Sequence, residues 1–120
     1  MKRLIAITAA VVLTAPAANA FPVVGGNGLT PNAWALVQYI QATYPGVQSI
    51  GGVRADALPD HPSGHALDLM IGSNMALGDA IYADLSNHMA EHSIRYLLWR
   101  VPDHYSHTFT LRLSDMAHDR

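Results

Sequence analysis

Apolar residues recur at helical spacing first between residues 31 and 44, where Leu36, Val37, Ile40 and Tyr44 lie on one side of a 3.6-residue period. Thr30 in N-cap position, Pro31 at the first helical position and Pro45-Gly46 beyond the end predict a helix over roughly 31–44. A short strand broken by two glycines follows in "VQSIGGV" at 47–53. "RADALPDHPSG" carries two prolines and little apolar content, so it reads as a loop, and "HALDLMI" is a buried strand ended by Gly72. Leu77, Ile81, Leu85, Met89 and His92 then step at i, i+4 behind a Ser/Asn cap, predicting a second helix over roughly 75–92. "IRYLLWRV" at 94–101 reads as a central strand, and "HTFTLRL" at 107–113 alternates as a strand with one wet face would. "FPVVGGNG" at 21–28 reads as a Gly-rich lead-in. The order predicts a small α+β domain whose two main helices pack on one mostly antiparallel sheet.

The first twenty residues obey a different pattern. Lys2 and Arg3 precede an apolar run from Leu4 to Ala15 and small residues ending Ala18-Asn19-Ala20, the layout of a signal peptide cleaved after Ala20. The run is short of the roughly 20 apolar residues a membrane span needs, and no other segment qualifies. The expected organisation is a signal peptide over 1–20 and a single domain over 21–120, exported to the cell envelope or beyond and monomeric. Of the seven basic residues, Lys2 and Arg3 go with the leader, leaving five arginines against nine acids, a net charge of −4 with histidine neutral. That balance argues against nucleic acid or an anionic membrane surface as partner. With no cysteine, disulfides are excluded despite the oxidising compartment, and stability rests on core burial with help from any bound metal.

Candidate chemistry is concentrated in "DHPSGHALD" at 60–68. His61 lies on the loop and Asp68 on the strand, and Gly64 lets the backbone turn close by. Alternation puts Ala66 on the same face as Asp68, leaving room beside it, and turns His65 away. A loop histidine folded back over a strand aspartate suits zinc, which takes compact N and O ligands at about 2.0–2.2 Å. The same residues fit a solvated loop histidine and a turn-capping carboxylate, since two ligands do not make a site.

"HPSGHALD" resembles the His-x-x-Gly-x-Ala-x-Asp signature of the zinc peptidases that include the D-alanyl-D-alanine carboxypeptidases and vancomycin-resistance dipeptidases, which share a fold with the Hedgehog signalling domain. The likeness is closest to small secreted actinobacterial-type domains, in which a "GGVR"-like strand precedes the signature and a helix and a "YLLWR"-like strand follow it; it spans roughly 28–111. The resemblance implies a Hedgehog/DD-peptidase-like fold, a zinc ion on His61 and Asp68, Arg54 contacting the substrate or developing oxyanion, and cell-wall peptide or peptidoglycan as the partner.

A second motif of this family, on the last strand, supplies an acidic base and a third, histidine ligand. Here "HYSHTF" at 104–109 puts Ser106 in the place of the base and Phe109 in the place of the ligand. A catalytic zinc needs three protein ligands, an open water position and a nearby carboxylate to take the proton. His107, or His104, could supply the ligand and Asp103 the acid/base, although His107 sits about 6–7 Å along the strand from the expected place. The catalytic candidates are therefore Arg54 and Asp103, and the metal ligands His61, Asp68 and His107. Competing readings are a degenerate relative that binds peptide or metal without hydrolysis, and a plain structural domain. His88 and His92 read as a surface or rim pair, Trp34 and Trp99 as core or cleft-wall aromatics, and Ser63 and Ser106 lack a nucleophilic triad.

Overall fold

A computed structural model describes residues 21–101 and 108–115. The elements run β1 (Val23–Val24), α1 (Pro31–Thr43), β2 (Ser49–Gly51), β3 (Ala66–Met70), α2 (Met75–Asn87), β4 (Ile94–Leu98) and β5 (Thr108–Leu113). The five strands form one sheet in the order β1-β2-β3-β5-β4, in which only β1 and β2 pair in parallel. The chain is an α+β domain, and no helix among the described residues is long and apolar enough to cross a membrane.

Both helices start where the sequence places them. The Thr30 hydroxyl accepts from the Ala33 amide with Pro31 in the first turn, and the Asn74 side chain accepts from Leu77; each satisfies one of the amides a helix start leaves free. The second helix ends at Asn87 rather than 92. Asn87 Nδ2 donates to the Ala83 carbonyl and His88 Nδ1 to the Asp84 carbonyl, so side chains close the last turn. Met89 and His92 therefore keep helical spacing without being helical, and the ring of His92 lies 4.6 Å from that of Tyr39.

Leu36, Val37 and Ile40 of α1 and Ile81 and Leu85 of α2 join one core with Ile50, Leu67, Leu69, Phe109 and Leu111 of the sheet. The helices thus cover one face of the sheet, and alternation sends Ala66, Asp68, Thr110 and Arg112 to the other. Trp99 is part of the core, stacked 5.5 Å from Phe109 with its indole N–H donating to Asp79. Trp34 belongs to neither core nor cleft wall: it is 39% exposed and covers Gly26. Tyr39 and Tyr44 both donate to Asp84 Oδ2 at 2.6 Å, tying the end of α1 to α2.

Two strand expectations need correction. β4 is an edge strand, with Tyr96 41% exposed, and it stops at Leu98 because the chain turns at Arg100, whose φ is +59°. β1 was not expected at all; its two residues are too few to show a period, and it exists through pairing with Ile50 and Gly51.

Candidate functional site

The face that the helices leave uncovered carries a cleft of about 640 Å³. Its floor comes from β3 and β5, where Asp68 stands directly across from Thr110 and Ala66 from Arg112. Its rim includes Val24, Leu58 and Tyr96, which are exposed apolar groups, together with Arg54, Asp56 and Asp60.

His61 and Asp68 meet in this cleft. Both are buried, at 5% and 7% exposure, which rules out a solvated loop histidine. His61 Nε2 lies 3.3 Å from Asp68 Oδ2. Two ligands held about 2.0–2.2 Å from one tetrahedral zinc stand roughly 3.3–3.6 Å apart, so the separation fits two corners of such a site. The histidine tautomer follows from its neighbours. Nδ1 is 2.8 Å from the Gly52 carbonyl oxygen, which can only accept, so Nδ1 carries the proton and Nε2 offers its lone pair. A ligating histidine is commonly fixed in this way, through its second nitrogen.

Arg54 also reaches the pair. Its Nη1 donates to Asp68 Oδ2 at 2.6 Å and lies against the His61 ring, 2.9 Å from Nε2 and 3.1 Å from Nδ1, while Nη2 lies 3.6 Å from Asp56. One guanidinium nitrogen thus lies against both His61 and Asp68. Asp68 keeps its other oxygen on the Thr110 hydroxyl, which donates at 2.7 Å. The carboxylate is therefore satisfied on both oxygens, as a buried charge requires.

The loop is held by backbone geometry. Gly64 has φ +81°, and a Cβ there would run into the Gly28 carbonyl oxygen; the Gly64 carbonyl in turn accepts from Thr30 at 3.2 Å. His65 faces away from the cleft, as alternation predicts. Its Nε2 donates to Asp115 at 2.5 Å and its Nδ1 lies 2.7 Å from the Ser63 hydroxyl. Ser63 therefore does have a histidine and an aspartate in line, but none of the three lines the cleft.

Phe109 is fully buried among Trp99 and Tyr82 on the helix side of the sheet. The residue that faces Asp68 is Thr110, one position on, so a histidine at 109 would enter the core rather than the cleft. Ser106, Asp103, His104 and His107 lie outside the described residues. Among the described residues no group of three His, Cys, Asp or Glu side chains could hold a metal; His61 and Asp68 bring together two donors.

Three polar residues of the cleft, Thr110, Arg112 and Asp60, were given no role by the sequence. Thr110 and Arg112 could have been placed by carrying the alternation of "TFTLRL" through. Asp60 could not: its partners, Tyr96 and Arg112, are 36 and 52 positions away. Arg112 donates to Asp60 through Nη1 while its Nε is buried with no partner among the described residues, a cost of about 1–3 kcal/mol.

Neither the curated proteins nor the solved structures contain a match to the chain. Residues 25–108, most of the chain, match a family model described as VldE, C-terminal domain, and that stretch takes in both helices, the cleft loop, Asp68 and β4. The chain belongs to the VldE C-terminal domain family.

Proposed function

We propose that the cleft is a zinc site of the D-Ala-D-Ala carboxypeptidase type in an exported domain of the cell envelope, and that it takes cell-wall peptides. The observation that carries this reading is the 3.3 Å approach of His61 Nε2 and Asp68 Oδ2, with Nδ1 pinned on Gly52. A zinc ion there would polarise a peptide carbonyl and lower the pKa of a bound water toward about 7. His61 and Asp68 would hold the metal, and Arg54, half exposed at the rim, would meet the developing negative charge or the peptide carboxylate. The candidate third ligand is His107, or less favourably His104, both outside the described residues. The cleft face of β5 carries Thr108, Thr110 and Arg112, so His107 serves only if strand alternation does not extend back past Thr108. Asp103 is the candidate acid/base.

A second reading has its own observation. Arg54 Nη1 already bridges His61 and Asp68, so the pair is electrostatically complete with no metal, as a plain peptide-binding cleft would be. Zinc titration of chelator-treated residues 21–120 separates the two. The zinc reading expects binding that His61→Ala and Asp68→Ala abolish and His107→Ala weakens, with chelator-sensitive cleavage of a D-Ala-terminated peptide. Peptide binding without zinc binding, unchanged in His61→Ala, would replace it with the second reading.

A further inference from the structure

Asp60 precedes His61, lines the cleft, and is bound from the edge strand β4 and its neighbour β5. The Tyr96 hydroxyl of β4 donates to Oδ2 at 3.0 Å and Arg112 of β5 donates to Oδ1. Its carbonyl accepts from the His65 amide at 2.9 Å, so the residue closes the loop on itself as well. The next side chain, His61, is anchored at the opposite side of the sheet, on the Gly52 carbonyl just past β2. The loop thus crosses the sheet with one tether at each end, and Asp60 is the charged one. Its carboxylate is only 15% exposed and Arg112 only 23%, which makes the pair little screened by solvent.

We infer that Asp60 is a positioning residue for the metal: by clamping the loop to Tyr96 and Arg112 it fixes the His61 imidazole over Asp68. This inference rests on the zinc reading. The physical argument is that two neighbouring residues on a loop share one backbone path, so releasing Asp60 frees the Cα of His61 while its Nδ1 stays tethered. The ring then tilts, and Nε2 leaves the place where its lone pair and the Asp68 oxygen point at a common centre. Loss of an outer-shell partner of this kind costs about 10–100-fold in metal affinity.

The test uses residues 21–120 with zinc alone as the probe. Asp60→Asn keeps the size of the side chain and removes its charge; zinc affinity is read by competition with a chromophoric chelator and is expected to fall about 10–100-fold. Arg112→Met should give a comparable loss, and the double variant should be no weaker than either single one, because both break the same tether. In cobalt-loaded protein the visible bands should shift in Asp60→Asn, which a uniform loss of stability would not produce. In the metal-free protein, hydrogen exchange at the Ser63, Gly64 and His65 amides, all bonded within the loop, should speed up by about tenfold while α1 amides stay unchanged. Wild-type zinc affinity and unchanged loop exchange in Asp60→Asn overturn the inference. So does a loss matched by the remote Asp84→Asn variant, which would make it a general stability effect. If the unaltered protein binds no zinc, it is the zinc reading that fails; the clamp then stands or falls on loop exchange alone, and unchanged exchange rejects it.

Discussion

Replacing Arg54 by methionine should strengthen zinc binding, although the proposed function gives Arg54 a part in the site. Methionine keeps most of the apolar stem and removes the one cation among the described residues that touches both His61 and Asp68 Oδ2. A metal seated between His61 Nε2 and Asp68 Oδ2 must first displace Nη1. A charge-assisted hydrogen bond is worth about 1.5–3 kcal/mol. The Arg54 side chain is 50% exposed, so solvent screening cuts the contact to about 1 kcal/mol. At about 1.4 kcal/mol per tenfold, removing the competitor raises zinc affinity roughly fivefold. The metal-free protein pays the opposite sign: Asp68, 7% exposed, keeps only the Thr110 hydroxyl as a donor and faces the unprotonated Nε2 of His61, and stability falls by about 1 kcal/mol. Chelator competition gives the first quantity and urea unfolding of metal-free protein the second. Capture of a D-Ala-terminated peptide should weaken in the same variant, since Arg54 no longer meets its carboxylate. Zinc affinity equal to or below that of the unaltered protein would refute the argument, because Arg54 would then not occupy the metal's place.

Gly64→Ala combines a positive φ with a clash against backbone at Gly28, and should lower unfolding stability by about 2–4 kcal/mol and zinc affinity with it; urea denaturation checks the first and chelator competition the second. Asp84 gives stability a pH dependence. Burial opposes its ionisation, but hydrogen bonds from Tyr39 and Tyr44, with His88 and His92 nearby, outweigh burial and hold the carboxyl below its ordinary range. A carboxyl depressed in the folded state stabilises above its unfolded pKa, about 3.9, and that stability is lost as pH falls through the folded value. Thermal midpoints should therefore drop more steeply below about pH 4 in the unaltered protein than in Asp84→Asn, and parallel curves would exclude Asp84 as the source.

Local pattern was enough for both helix starts and for β3. Thr30 with Pro31, and Leu36, Val37 and Ile40 behind them, carry a start signal and a buried stripe in adjacent residues, and α1 forms over Pro31–Thr43. The glycine at 64 and the alternation through Ala66 and Asp68 are likewise local, so the turn and the shared face of those two residues were legible before any contact was known. Where the chain leaves α2 was less so, because Asn87 and His88 fold back on carbonyls that the hydrophobic period does not describe. Long-range pairing was decided only in three dimensions. β1 exists by lying beside β2, β4 takes an edge because β5 inserts between it and β3, and neither fact has a counterpart in the period of either strand. Register had the largest consequence for the site. A motif laid along the last strand put Phe109 at the family's third-ligand position, whereas pairing of β5 with β3 sets Thr110 across from Asp68 and turns Phe109 into the core. A strand has a period of two, so one residue of register separates a ligand position from a core position. Asp60 shows the same limit from the loop side. Sequence gives it a place beside His61, and only the folded sheet brings Tyr96 and Arg112 to its carboxylate.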